Sequence, residues 1–177
     1  MMPWSSSPTF QVGTLVALRL LVGWHFLYEG LAKLLNPYWT SAGYLAESQW
    51  WFQGLFLAIA ATPTAVTIVD YLNMWGQTLI GLGLMLGLFT RWATVAGVVL
   101  LALYYIVAPP FAGYTYGMPA EGSYLIVNKV LIELAALLVL LAYPTGRTFG
   151  LDRFFARAGA SASEPLAPAV AGGVRHD

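Results

Sequence analysis

Charged and polar side chains occur inside apolar stretches of this sequence that are long enough to cross a bilayer. The first such stretch, 12–35, contains Arg19, His25, Glu29 and Lys33. Inserting one charged side chain near the bilayer centre costs about 2.5–3.5 kcal/mol, so such residues usually face a helix-bundle interior or a cavity. These four residues therefore predict polar chemistry inside the membrane.

A second apolar stretch supplies polar residues that could meet those of the first. Within 66–89, Asp70, Asn73 and Gln77 are spaced i, i+3, i+7. That spacing places all three on one face of a helix.

The last apolar stretch, 124–143, contains Asn128, Lys129 and Glu133. If each stretch crosses the membrane, the second and last begin on the side where the first ends. Most polar residues of the three stretches then lie in the same half of the bilayer. We call it the outer half, following the orientation that the arginines predict below. We expect them to form one shared cluster.

Arg19 alone lies deeper, near the midplane, and lacks a partner at helical spacing within its own stretch. Glu29 and Lys33 form an i, i+4 pair that could neutralise itself along one helix. The partner of Arg19 is therefore expected from across the bundle, with Glu29, Glu133 and the Gln77 amide as candidates.

The composition is that of an integral membrane protein. Hydrophobic residues make up 59% of the 177 and charged residues 9%, against roughly 25% charged in soluble domains. The formal net charge of zero argues against nucleic acid as a partner, because a basic footprint is missing. The many Tyr, Phe and Trp residues suit a membrane–water interface, and membrane lipid is an expected partner.

The sequence contains no motif for a haem, an iron–sulfur cluster or a metal ion. Cysteine is absent, which excludes disulfides, thiol nucleophiles and thiolate ligands. The two histidines, His25 and His176, are too few for a transmembrane bis-histidine haem. We assign His25 a hydrogen-bonded packing role.

We predict an all-α, four-helix membrane bundle over 10–158, preceded by a polar leader over 1–9 and followed by a mobile tail over 159–177. An interfacial or re-entrant helical segment is expected over 38–63, because its apolar core, 50–61, is shorter than the ~17 residues that a span needs. A short amphipathic helix is expected over 150–158. The four predicted spans are 10–35, 66–89, 92–108 and 124–143.

The distribution of arginine predicts the topology. One side of a four-span bundle contains most of the arginines, while the opposite loops contain Glu47 and Glu121. Both termini are therefore expected in the cytoplasm. The arginines on that side are Arg91, Arg147, Arg153, Arg157 and Arg175.

Three groups of residues resemble those of a known membrane protein family. The first span contains Arg19, Gly23, Phe26, Gly30 and Lys33; 81–91 reads GLGLMLGLFTR; and 121–124 reads EGSY, ahead of Asn128-Lys129 and Glu133. Over roughly 15–152 the sequence resembles the DoxX family. Within it, the sequence is similar to the DoxD-like group, named after the small subunit of thiosulfate:quinone oxidoreductase.

The resemblance implies a four-helix protein of the bacterial or archaeal cytoplasmic (inner) membrane, linked to quinone redox chemistry and to a second protein subunit. On that basis quinone is the candidate cofactor, bound in the outer-half cluster. Arg19 would stabilise a developing quinol oxyanion, and Glu29 and Glu133 would relay protons. The expected quinone-binding residues are Lys33, Asn73, Gln77, Asn128 and Lys129.

Two other functions stay open. The same polar residues could fix helix register in a non-catalytic scaffold, whose aromatic outer loop docks a partner protein. A carrier for a small solute or ion is the remaining alternative. The small bundle and the lack of a recognisable inverted repeat argue against a carrier.

Overall fold

A computed structural model describes residues 7–117, 124–146 and 149–153 of the chain. Six helices account for most of these residues, and none of the described residues belongs to a β-strand. The helices are α1 (Pro8–Leu35), α2 (Ala42–Ala46), α3 (Gln53–Ala60), α4 (Pro63–Leu86), α5 (Thr90–Val107) and α6 (Lys129–Ala142).

Helix α1 begins and ends at residues that suit a helix terminus. The Ser7 hydroxyl accepts a hydrogen bond from the Phe10 amide at 3.4 Å, and Pro8 takes the first turn, where its missing N–H is not needed. The helix ends at Asn36, directly before a proline. Its 28 residues extend about 42 Å at 1.5 Å per residue. Because α1 begins at Pro8, its first two residues belong to the leader predicted over 1–9. Residues 1–6 of that leader lie outside the described residues.

Four helices pack in a ring, in the order α1, α4, α5, α6 and back to α1. Helices α1 and α4 approach closely because glycines stand at their contact. A Cβ added to Gly30 would lie 2.6 Å from the Thr78 amide nitrogen, and one added to Gly81 would lie 2.6 Å from Leu27 Cα. Between the helices lies a buried core formed by Val22, Phe26, Ile80, Leu84, Leu101, Leu137 and Leu140.

The two ends of the ring are built differently. We call them the Asn36 end, where α1 ends, and the Gly87 end, where α4 ends. At the Asn36 end, α2, α3 and 109–117 cover the helices. There, Ser41 donates from its amide and its hydroxyl to Asp70, at 2.7 and 2.5 Å. At the Gly87 end, Arg19 of α1 and the α4–α5 turn contact Thr145, Phe149 and Asp152.

Helices α1 and α5 are long and apolar enough to cross a membrane. Helices α3 and α4 pass the same test only as a pair, and they are bent by 102°. Since α4 lies along the bundle, α3 lies across its end. This geometry suits the interfacial or re-entrant segment predicted over 38–63.

The fourth predicted span, 124–143, begins five residues before α6 and is only partly helical. Tyr124 and Val127 close a tight turn, with Leu125 at a φ of 65°. Asn128 then caps α6, accepting from the Leu131 amide at 3.0 Å. The helix therefore has 14 residues, fewer than the ~17 of the shortest spans.

The other predicted boundaries lie within a few residues of the observed ones. Helix α4 begins at Pro63 and α5 at Thr90, each slightly before the predicted span. Of the predicted amphipathic helix over 150–158, only 150–153 are described. The predicted tail, together with Glu121, Arg147, Arg157 and Arg175, lies outside the described residues.

Candidate functional site

The polar residues that were expected to form one cluster occupy three separate places. One lies between α1, α4 and α5, a second lies between α1 and α6, and the third lies at the Gly87 end. Their different surroundings determine what each place can do.

The first place, the Lys33 cluster, consists of Lys33, Asn73, Gln77 and Tyr104. The Lys33 ammonium donates to Gln77 Oε1 at 2.5 Å, Asn73 Oδ1 at 3.2 Å and the Tyr104 hydroxyl at 3.4 Å. Asn73 Nδ2 donates to the same hydroxyl at 2.6 Å. The predicted meeting of Lys33 with Asn73 and Gln77 is thus observed, and it satisfies all three donors of the ammonium.

The groups around the Lys33 ammonium stabilise its positive charge inside the protein. The ammonium lies 5.2 Å from the Trp39 ring centre and 5.6 Å from that of Tyr104, within the range of cation–π attraction. The predicted i, i+4 partner, Glu29, approaches to 3.9 Å. Three neutral oxygens, two rings and one carboxylate therefore balance a cation whose side chain is 14% exposed.

Tyr44 supports this cluster from the Asn36 end. Its hydroxyl donates to the Tyr104 backbone carbonyl at 2.8 Å. Burial raises the pKa of the Tyr44 hydroxyl, so the proton that makes this bond stays in place at any physiological pH. The bond fixes the end of α5 beside Lys33.

The second place is a groove between α1 and α6, with a volume of about 610 Å³. Its polar centre is His25, whose Nδ1 lies 2.5 Å from Glu133 Oε1. The His25 side chain is 33% exposed and that of Glu133 12%. Mostly apolar side chains form the rest of the wall: Leu18, Leu21, Val22, Tyr124, Asn128, Lys129, Ile132 and Ala136.

The His25–Glu133 contact is short enough for a charge-assisted hydrogen bond. Lys129 on α6 and Glu29 on α1 also act electrostatically on the imidazole. An imidazole beside a carboxylate can give a proton to, or take one from, an oxygen atom in the groove. Of the three places, this one combines titratable groups with open space.

The third place, the Arg19 cluster, consists of Arg19, Thr145 and Phe149. Arg19 is only 3% exposed. It donates from Nη1 to the Thr145 hydroxyl at 3.1 Å and from Nη2 to the Phe149 carbonyl at 2.5 Å. Gly87 packs against the guanidinium, since a Cβ there would lie 3.2 Å from Nη1.

The segment held by Arg19 also ties the α4–α5 turn. Asp152 accepts from the Phe89 amide at 2.7 Å and from the Thr90 amide at 3.0 Å, which caps α5. Its own amide donates to the Gly87 carbonyl at 2.9 Å. Thr145, Phe149 and Asp152 thereby join α1 to the α4–α5 turn at the Gly87 end.

The prediction that Glu29, Glu133 or Gln77 partners Arg19 is wrong. Glu133 pairs with His25, Gln77 with Lys33, and Glu29 lies beside Lys33. The Arg19 guanidinium instead bonds a hydroxyl and a backbone carbonyl beyond the last predicted span. No periodicity within the spans could have indicated those acceptors.

Sequence reasoning assigned His25 only a hydrogen-bonded packing role and did not include Tyr104 in the polar cluster. His25 lies eight positions before Lys33 on α1, near two full helical turns, which was a usable signal for a shared face. Tyr104 carried no signal, because it is one aromatic residue among several in an apolar helix. Among the described residues, no three His, Asp or Glu side chains lie where they could hold a metal ion.

Comparison with known proteins identifies the family. The family model described as DoxX matches residues 14–110, which is more than half of the chain. The matched residues include the Lys33 cluster and Arg19, and they end before α6. No curated protein and no solved structure matches the chain.

Proposed function

The chain belongs to the DoxX family, and from this premise we propose that it is a membrane subunit that binds quinone in the α1–α6 groove. The observation that carries the proposal is the His25–Glu133 pair in the wall of that groove. From Asn128-Lys129 and Glu133 we further propose that the chain belongs to the DoxD-like group.

The size and lining of the groove suit a quinone. Pockets for small molecules commonly measure about 300–1,000 Å³, with apolar walls and a few polar groups that fix orientation. Helices α1 and α6 alone, with Tyr124 at one end, supply the wall. An apolar isoprenoid tail could therefore leave the groove sideways into lipid, while the ring carbonyls face His25.

The chemistry of the pair suits a quinone as well. A quinone carbonyl accepts a hydrogen bond, and its reduction to a quinol requires two electrons and two protons. His25 and Glu133 supply groups that can hold such protons. The electrons come, in this proposal, from a second protein subunit, since the chain contains no cysteine and no recognised redox motif.

The proposal assigns new roles to several residues first expected in the quinone site. Asn128 and Lys129 stay in it, at the groove wall. Lys33, Asn73 and Gln77 hold a buried charge, and Arg19 ties the Gly87 end together. Glu29 lies between the groove and the Lys33 cluster.

We propose that α1, α4, α5 and α6 belong to a four-span bundle of a bacterial or archaeal inner membrane, in which the apolar turn at 124–127 and the 14 helical residues of α6 together make the fourth span. Both termini would lie in the cytoplasm. Arg91 and Arg153 lie at the Gly87 end, and Glu47 lies at the Asn36 end, which fits that orientation.

Binding of a short-chain quinone to the purified full-length protein in lipid nanodiscs tests the function. We expect saturable binding of a ubiquinone or menaquinone analogue, and a dissociation constant about tenfold higher for Glu133→Gln, the cost of one weakened hydrogen bond near 1.4 kcal/mol. Glu47→Gln, a carboxylate far from the groove, is the matched control. No binding by the parent protein would overturn the proposal.

The alternative is a scaffold that anchors a partner protein. The hydrogen bonds of the Lys33 and Arg19 clusters favour it, because both networks join helices and segments of the bundle to one another. Under this alternative Glu133→Gln lowers stability, and neither it nor the parent protein binds quinone.

A further inference from the structure

The side chains that line the α1–α6 groove change from polar to apolar along its length. Helix α1 runs toward the Asn36 end, and α6 runs the opposite way, because Thr145, just beyond α6, bonds Arg19 at the Gly87 end. The contact between His25 and Glu133 fixes one level at which the two helices meet. Lining residues that precede Glu133 on α6 therefore lie toward the Asn36 end, and those that precede His25 on α1 lie toward the Gly87 end.

The part of the groove toward the Asn36 end contains hydrogen-bonding groups. Lys129 lies in its wall one helical turn before Glu133, a spacing that separates Cβ atoms by about 5–6 Å. The charge of Lys129 acts on the His25 imidazole. When protonated, that imidazole donates from both ring nitrogens, one to Glu133 and the other to the groove. Two donors, the imidazolium and the ammonium, thus stand about one turn apart along the groove.

The part of the groove toward the Gly87 end is apolar. Leu18, Leu21 and Val22 of α1 and Ala136 of α6 form its wall, and none of these side chains can form a hydrogen bond. Leu21 is 69% exposed, so this part opens toward the lipid around the bundle. A ring oxygen placed here would find no side-chain donor, whereas an apolar tail would exchange lipid for equally apolar side chains.

We propose that the groove holds a para-quinone in one orientation, with its ring toward the Asn36 end and its apolar tail toward the Gly87 end. One ring oxygen accepts from His25 and the other from Lys129. The two oxygens of a para-quinone lie on opposite sides of one ring, a separation similar to one helical turn, so each oxygen meets one donor. Lys129 then selects ligands with two ring oxygens over those with one.

This inference rests on the proposed quinone site and adds to it the orientation of the ligand and the second contact of its ring. The two can fail separately. A parent protein that binds quinone in the opposite orientation retains the proposed function and loses only this inference. A parent protein that binds no quinone overturns both.

Photolabelling of the full-length protein in lipid nanodiscs tests the orientation. Two short-chain ubiquinone analogues are compared, one with a diazirine on the ring and the other with a diazirine at the end of the tail. We expect the ring probe to label 124–129 and the tail probe to label 18–22, and excess unlabelled quinone should prevent both reactions. The exchanged pattern, or the same pattern with both probes, would overturn the proposal.

Variants of Lys129 test the second contact of the ring. Lys129→Met keeps a long side chain without the ammonium, and it should raise the dissociation constant of the unlabelled quinone about tenfold, as for loss of one hydrogen bond from a charged donor. An analogue with a single ring oxygen should bind the parent and Lys129→Met equally, because its oxygen is held by His25. Lys129→Arg retains a cationic donor and should recover most of the affinity for the quinone. An unchanged dissociation constant in Lys129→Met, or an equal loss for both ligands, would contradict the assigned contact.

Discussion

Arg19 and His25 lie six positions apart on the same helix, yet their surroundings differ completely. Arg19 is 3% exposed and bonds a hydroxyl and a backbone carbonyl. His25 is one-third exposed and lines a groove with Glu133. A charge in an apolar span is therefore weak evidence for chemistry, whereas a titratable pair beside open space is stronger evidence.

The largest expected effect on stability belongs to the enclosed charge. Arg19→Met should lower the free energy of unfolding by about 3–6 kcal/mol, because it removes two hydrogen bonds from a charged donor, each contributing about 1.5–3 kcal/mol. Thermal unfolding in detergent measures this loss. Arg91→Met, at an exposed position of the same end, should cost less than about 0.5 kcal/mol. Equal losses in the two variants would contradict the structural role of Arg19.

The close packing of α1 on α4 predicts the next effect. Gly81→Ala should cost about 1–3 kcal/mol of unfolding free energy, since its Cβ would collide with the main chain of Leu27. Gly76→Ala lies on the same helix, with nothing within 4 Å of an added Cβ. It should be neutral or stabilising by about 0.5–1 kcal/mol. If both glycines tolerate alanine equally, the two helices lie farther apart than described.

The cap at the Gly87 end predicts a smaller loss. Asp152→Ala should lower the free energy of unfolding by about 1–2 kcal/mol, because two amides at the start of α5 lose their acceptor. Asp152→Asn retains one acceptor oxygen and should recover part of that loss. Hydrogen exchange at Phe89 and Thr90 reports on the cap directly. Unchanged protection in Asp152→Ala would exclude it.

Substitutions in the α1–α6 groove should have little effect on the free energy of unfolding, in contrast to those of the Arg19 cluster. Glu133→Gln keeps a hydrogen-bonding oxygen beside His25 and should change the free energy of unfolding by less than about 1 kcal/mol. The same thermal unfolding assay applies. A loss as large as that of Arg19→Met would make the His25–Glu133 pair a structural element and would favour the scaffold function.

Local sequence patterns predicted the helical fold and the contact of Lys33 with Asn73 and Gln77. The predicted ends of the first three spans, at 35, 89 and 108, lie within three residues of the ends of α1, α4 and α5. The i, i+4 spacing of Asn73 and Gln77 placed both amides on one face, where Lys33 meets them. The start of α6 was wrong because Leu125 takes a positive φ, which apolar content alone does not indicate.

Long-range partners could not be read from periodicity. Arg19 bonds residues more than 120 positions away, beyond the last predicted span. His25 was assigned a packing role because a single histidine has no spacing that identifies a carboxylate on another helix. Its pairing with Glu133 depends on how α6 closes the ring against α1, and only the folded arrangement contains that information.

The contrast between His25 and Arg19 is tested most directly by titrating one short-chain quinone into three full-length proteins in nanodiscs. They are the parent, His25→Leu and Arg19→Lys, the last of which retains the buried charge. The account predicts that His25→Leu raises the dissociation constant about tenfold, near 1.4 kcal/mol, while Arg19→Lys binds like the parent. Weakened binding in Arg19→Lys together with parental affinity in His25→Leu would contradict it.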